Sequence, residues 1–143
     1  MSIIDALTRF SDAQVLTATA DSENHLDFGA GKDAFGAVRA APELSDGRPL
    51  WLNVTVGTAL DSAGEAATLT IILATSTDDT TFTTVYTTAA IAEASCTAGA
   101  ILLSMALPLG LSRYNKLTYT VGTEDFTTGT IYAWIGSEPA RAV

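Results

Sequence analysis

Aliphatic side chains alternate with threonine and other polar residues over several short stretches of this chain, and a period of two fits extended strands, not helices. In Leu50-Trp51-Leu52-Asn53-Val54-Thr55-Val56 the even positions are aliphatic, while Asn53 and Thr55 face the other way. In Thr68-Leu69-Thr70-Ile71-Ile72-Leu73 the inward set is Leu69, Ile71 and Leu73. Further sets are Ile101, Leu103, Met105 and Leu107, then Leu117, Tyr119 and Val121, then Ile131, Ala133 and Ile135. Weaker strand patterns run over 15–19, 25–28 and 82–87. The β-branched and aromatic residues that fill these stretches pack well on a pleated surface.

Turn-forming residues separate the stretches: Asp46-Gly47, Asp61-Ser62-Ala63-Gly64, Asp78-Asp79, Pro108-Leu109-Gly110 and Thr127-Thr128-Gly129. Short strands at such spacing, without long helical patterns between them, predict an all-β chain. The expected architecture is an antiparallel β-sandwich or jelly roll of about eight strands. Two segments break the alternation. Residues 1–12 read as an N-terminal arm, and residues 30–48 as a loop inserted into a single domain spanning 13–143. Irregular segments carry contacts more often than strands do. At 143 residues a compact chain hides roughly two-thirds of its unfolded surface, enough for a core without staples.

Charge narrows the function. The formal net charge is −9, and Lys and Arg together number only 7, scattered along the chain. That balance argues against binding nucleic-acid phosphates or an anionic membrane. Cys96 is the single cysteine, so an intrachain disulfide and a cysteine-based zinc cluster are both excluded. The first residues have neither a basic start nor an apolar run, so the expectation is a soluble protein made in the cytoplasm without an export signal.

Candidate chemistry is thin. Gly29-Ala30-Gly31-Lys32-Asp33-Ala34 has the form of a dinucleotide-binding turn, but no crossover helix or parallel strand pattern follows it, and a tight turn explains the glycines. His25 and Cys96 could form a base and nucleophile only if the fold joined them, and nothing near either marks activation. Asp78-Asp79 and Glu124-Asp125 fall in turns and lack the ligand spacing of a calcium loop. Asn53-Val54-Thr55 is formally a glycosylation sequon, but it lies within a strand. The expectation is no catalytic residue, no metal and no cofactor. Trp51, Tyr132 and Trp134 lie on the strand faces opposite the aliphatic sets. They are exposed, covered by another subunit, or cap the core edge within one chain.

Ser11-Asp12-Ala13-Gln14-Val15-Leu16-Thr17-Ala18-Thr19-Ala20, residues 24–29, Leu107-Pro108-Leu109-Gly110, Arg113-Tyr114, Leu117-Thr118-Tyr119-Thr120-Val121-Gly122-Thr123 and Phe126-Thr127-Thr128-Gly129 together resemble the capsid cement, or decoration, proteins of tailed phages. The likeness covers residues 3–28 and 48–136; the 30–48 loop departs from it. The resemblance implies a jelly-roll-like sandwich, a homotrimer, and a seat on the outer capsid surface of the virion where major capsid protein subunits meet. It implies neither catalytic residues nor a cofactor. The candidate contact residues are then Ile3, Ile4, Leu7 and Phe10 of the arm, Phe35 of the loop, and Trp51 and Trp134 of the strands. The alternative function is a carbohydrate- or receptor-binding sandwich displayed on the same particle, stacking sugars on Trp51 or Trp134.

Overall fold

The computed structural model describes residues 9–27, 50–108, 111–136 and 138–140. In chain order its strands are β1 (Arg9–Val15), β2 (Ala20–Asp21), β3 (Leu26–Asp27), β4 (Trp51–Val56), β5 (Asp61–Ser62), β6 (Thr68–Ser76), β7 (Thr83–Thr87), β8 (Ile91–Ala92), β9 (Ile101–Ala106), β10 (Tyr114–Gly122), β11 (Phe126–Thr128) and β12 (Thr130–Gly136). Among the described residues one 3-10 turn, Glu93–Ser95, links β8 to β9.

The strands form a four-stranded sheet in the order β1-β12-β4-β9 and a six-stranded sheet whose path is β2-β10-β6-β7. β3 also pairs with β10, β8 with β6, and β5 with β11 as a separate two-stranded ribbon. Every pairing is antiparallel. If β2 and β3 count as one interrupted strand, the partners nest: β1 with β12, β2–β3 with β10, β4 with β9, and β6 with β7. Such nesting arises when a long two-stranded ribbon is wrapped around a common core. The result is a jelly roll, a β-sandwich of two packed antiparallel sheets.

The core lies between the sheets and follows the alternation. Leu52, Val54 and Val56 of β4, Leu69, Ile71 and Leu73 of β6, Leu117 and Tyr119 of β10, and Ile131, Ala133 and Ile135 of β12 are all buried. Each fully buried Leu or Ile stabilises the fold by about 1.5–3 kcal/mol, so sets of this size carry the sandwich. The set in β9 behaves differently. Leu103 and Met105 pack against the core, but Ile101 sits opposite Thr55 after a register shift and is 37 % exposed. That bulge re-aims Ile101 to the outer face, which simple alternation does not anticipate.

The arm expected over 1–12 is overturned in its last part. Arg9, Phe10, Ser11 and Asp12 belong to β1, which pairs with β12. Phe10 is fully buried in the core and is therefore not an accessible contact residue. The expected strand over 15–19 is displaced to the same place, since β1 ends at Val15. Register shifts on either side of Ser11 and a left-handed Ala13 (φ 50) break the period of two, so the sequence does not show the strand. The bulge turns polar side chains inward. Ser11 Oγ donates to Gln14 Oε1 at 2.7 Å and lies 2.8 Å from the Tyr119 hydroxyl. Because the one serine proton is committed to Gln14, the tyrosine must be the donor. Gln14 completes the link by donating from Nε2 to the Asp21 carbonyl at 2.9 Å and accepting from Glu23 N at 3.1 Å. β1 is thereby tied to β2 and β10 across the edge of the sandwich.

Of the remaining expectations, Ile3, Ile4, Leu7, Phe35, the 30–48 loop and the glycine turn at 29–34 lie outside the described residues.

Candidate functional site

Both sheets have an outer face, and the two faces differ in kind. On the four-stranded sheet the register sets outward residues in rows across the strands. Ile101, Thr55 and Tyr132 form one row; Ser104, Asn53, Trp134 and Arg9 form the next; Ala106, Trp51 and Gly136 form a third. Beyond Tyr132, Thr130 stands opposite Val15, which is 66 % exposed. Only Arg9 in these rows is charged; it lies at the edge, in an ion pair with Asp12 at 2.7 Å. Tyr132 is 36 % exposed, and a Cβ on Gly57 would stand 2.6 Å from its ring, so glycine is what lets the ring approach the β4 backbone. Trp51 and Trp134 are half-buried.

On the six-stranded sheet the outward residues are mostly threonines and charges, although Val85 and Tyr86 of its edge strand β7 are each 38 % exposed. Thr70 pairs with Thr120, Ile72 with Thr118, and Thr118 with Asp21. Lys116 Nζ reaches Asp21 at 3.0 Å and sits 4.5 Å above the Phe82 ring. Arg113 makes a two-pronged contact with Asp27 at 2.7 and 3.0 Å. Such a face keeps its charges paired and remains hydrated. The four-stranded face instead offers aromatic and aliphatic area, with charge only at Arg9 on its edge and at Glu138 in the segment laid over Asn53, close to the composition found at the centre of protein interfaces.

One residue on this outer face is not exposed at all. Asn53, in the middle of β4, is completely buried because the segment after β12 lies over it. Asn53 Nδ2 donates to the Glu138 carbonyl at 3.0 Å, and the Ala140 amide donates to Asn53 Oδ1 at 2.8 Å. Ser104 Oγ donates to the same Oδ1 at 2.8 Å and lies 3.2 Å from the Ala140 nitrogen. The side-chain amide thus grips both backbone groups that flank Pro139. Asparagine is a poor strand former, and a mid-strand asparagine among Leu, Val and Thr was the available signal for this role. The arrangement also leaves the sequon at 53–55 without a free amide nitrogen.

The other candidates are not drawn together. His25 Nδ1 contacts Asp79 Oδ1 at 2.7 Å, with its ring against Phe82. Cys96 lies elsewhere, with its Sγ 3.6 Å from the Ala92 carbonyl, beside an open cleft of about 270 Å³ lined by Leu60, Glu65, Glu93 and Thr97. Burial, then the nearby Glu93 charge, pushes the Cys96 thiol up to about 11, so it remains a thiol. The acidic turns serve the backbone. Asp78 Oδ1 accepts from the amides of Thr81 and Thr80, both at 2.9 Å, and from Ser76 Oγ at 2.8 Å, which hold its carboxyl down to about 2. Glu124 accepts from Ala66 N at 2.8 Å, from Ser62 Oγ at 2.7 Å and from Gly64 N at 3.0 Å, and these bonds lower its pKa. Glu93 shares the single Ser62 hydroxyl proton with Glu124 and also accepts from the Ser62 amide at 3.0 Å, contacts that lower its own pKa. Among the described residues no cluster of three or more His, Cys, Asp or Glu side chains is placed to hold a metal ion.

Fold and faces define a jelly-roll β-sandwich with one hydrated face and one aromatic face. Residues 10–135 match the model of the Bbp16 family, and the chain belongs to that family. No curated protein matches the chain.

Proposed function

We propose that the protein is a structural, non-enzymatic subunit of a tailed-phage head, which binds the outer surface of the expanded capsid lattice and cements it. The observation that carries this reading is the contrast between the two sheet faces. One is threonine-rich with paired ions, the other aromatic and nearly free of charge. The sequence resemblance to cement proteins and the jelly-roll fold support the same reading. A subunit that binds only the expanded lattice stabilises that state by its own binding free energy. A homotrimer, the assembly implied by the resemblance, bridges several major capsid protein subunits and lets each contact be modest. The acidic balance of the chain keeps it from competing for the packaged DNA.

Cosedimentation with expanded and unexpanded shells tests the proposal. Tyr132→Glu, which puts a charge in the aromatic face, should weaken shell binding by tenfold or more on the scale of about 2 kcal/mol for an interface tyrosine. Thr70→Glu on the opposite face should leave binding within about twofold, as rim or non-contact charges do. Equal effects would remove the face assignment, and failure of the unmodified protein to bind shells would remove the function. Glycan binding lost in Trp51→Ala, without shell binding, would support a sugar-binding module instead. Light scattering reads the assembly, with three copies of the 14.8 kDa chain as the expected native mass.

A further inference from the structure

We infer that Asn53 and Ser104 form a peptide-binding site on the outer face of the four-stranded sheet, filled in cis by residues 138–140 and able to take the same kind of segment in trans. The inference stands on the hydrogen bonds at that site and is independent of whether the face seats on a capsid.

A polar side chain in the middle of a strand, pointing away from the core, ordinarily has water for its partner. Asn53 has none of that exposure. Its two amide atoms are both spent on a passing backbone, the nitrogen on the Glu138 carbonyl and the oxygen on the Ala140 amide. This is the pairing that a neighbouring strand would make, supplied here by one side chain. Ser104 stands opposite Asn53 on β9 and adds a second contact to the Ala140 nitrogen. Trp134 lies across β12 from Asn53, and Trp51 is two residues before it, so the amide is flanked by aromatic walls.

The occupant already in place defines the ligand class. It is an extended segment with a carbonyl at one residue and an amide two residues on. The middle residue, Pro139 here, contributes no amide to the grip. Because only backbone groups are read, the site accepts many side chains at the outer positions. Proline in the middle lowers the entropy lost on binding, since its φ is already fixed.

The test uses the full chain with Ala140→Pro, which deletes the one amide that both Asn53 and Ser104 receive and leaves the site itself intact. A synthetic peptide of residues 137–143 is then titrated while tryptophan fluorescence is followed. The A140P chain should bind it saturably in the millimolar range or tighter, because the cis segment no longer competes at its high effective concentration. The unmodified chain should not respond. Adding Ser104→Ala to A140P should weaken peptide binding about two- to tenfold, the worth of one hydrogen bond. Adding Asn53→Leu should abolish it, with sheet circular dichroism retained. Absence of binding by a folded A140P chain overturns the proposal. So does an Ala140 amide in the unmodified chain that exchanges hydrogen as fast as in the free peptide, and this second measurement needs no variant.

Discussion

Removing the Tyr119 hydroxyl should cost less than removing the serine that receives it, and the two losses should not add. Tyr119 is fully buried, and burial raises its pKa, so it remains a hydrogen donor at any working pH. In Tyr119→Phe the ring keeps its packing and Ser11 still donates to Gln14, so only one hydrogen bond is lost, about 1 kcal/mol. In Ser11→Ala the phenol is stranded in the core without an acceptor, and Gln14 Oε1 keeps only the Glu23 amide. A buried donor left unsatisfied costs about 1–3 kcal/mol. Adding Tyr119→Phe to Ser11→Ala then removes the stranded group, and the double variant should be as stable as Ser11→Ala or more so. Urea denaturation followed by Trp51 and Trp134 fluorescence reads all four corners of this cycle. With an m-value of about 2 kcal/mol/M, 1 kcal/mol moves the midpoint by about 0.5 M. If Tyr119→Phe destabilises the Ser11→Ala background as much as it does the unmodified protein, the hydroxyl does not act through Ser11, and the network joining β1 to β10 is wrongly drawn.

Gly129→Ala should cost about 2–5 kcal/mol in the same assay, from left-handed strain plus overpacking. Gly129 has φ +141 and its Cβ would stand 2.9 Å from the Leu60 Cα, a backbone atom that cannot swing aside. Thr123, a β-branched residue at φ 68 spanned by the Glu124 N to Gly122 O bond of 2.8 Å, is strained in the opposite sense. Thr123→Gly should therefore raise stability by about 0.5–2 kcal/mol, strain relief less the entropy of glycine. The depressed Asp78 pKa means that its charged form stabilises the fold above its ordinary 3.8, and that this contribution disappears as the pH falls toward about 2. Acid titrations of the unmodified protein and Asp78→Ala should thus converge across that window, and parallel curves would assign the acid sensitivity to other groups. Cys96, buried with a raised pKa, should react with thiol reagents at pH 8 only at the rate of unfolding, and instant labelling of native protein would contradict its placement.

The sequence announced the strands whose two faces meet different environments over enough residues to establish a period. β4, β6, β10 and β12 qualify, and their inward sets are the ones found buried, except that Leu50 and Val121 at the strand ends are only partly covered. β1 was hidden because two register shifts and the left-handed Ala13 scramble its alternation, so Phe10 looked like part of an arm. The bulge opposite Thr55 likewise hid the outward turn of Ile101. β2, β5 and β8 have only two residues each, too few for any periodic signal. At the candidate face, Trp51, Tyr132 and Trp134 were readable as second-face aromatics from parity alone. What covers Asn53 was not readable, since it depends on a long-range return of the chain, Ala140 onto Asn53. No local pattern encodes such a contact.

The nested strand pairing has a consequence for the order in which the molecule can be built. β6 and β7 are near neighbours in sequence and can zip as soon as both exist, and β4–β9 and β10 with β2–β3 enclose them in turn. Each inner closure shortens the loop that the next must close, which lowers its entropic cost. The outermost pair comes last, because Val15 meets Thr130 only after everything between has been made. Since β12 lies between β1 and β4, a chain synthesised only as far as β11 has no continuous four-stranded sheet, and two of its strands wait with open edges. The aromatic face therefore does not exist on an unfinished chain, and it forms only when β12 closes the sheet and covers those open edges.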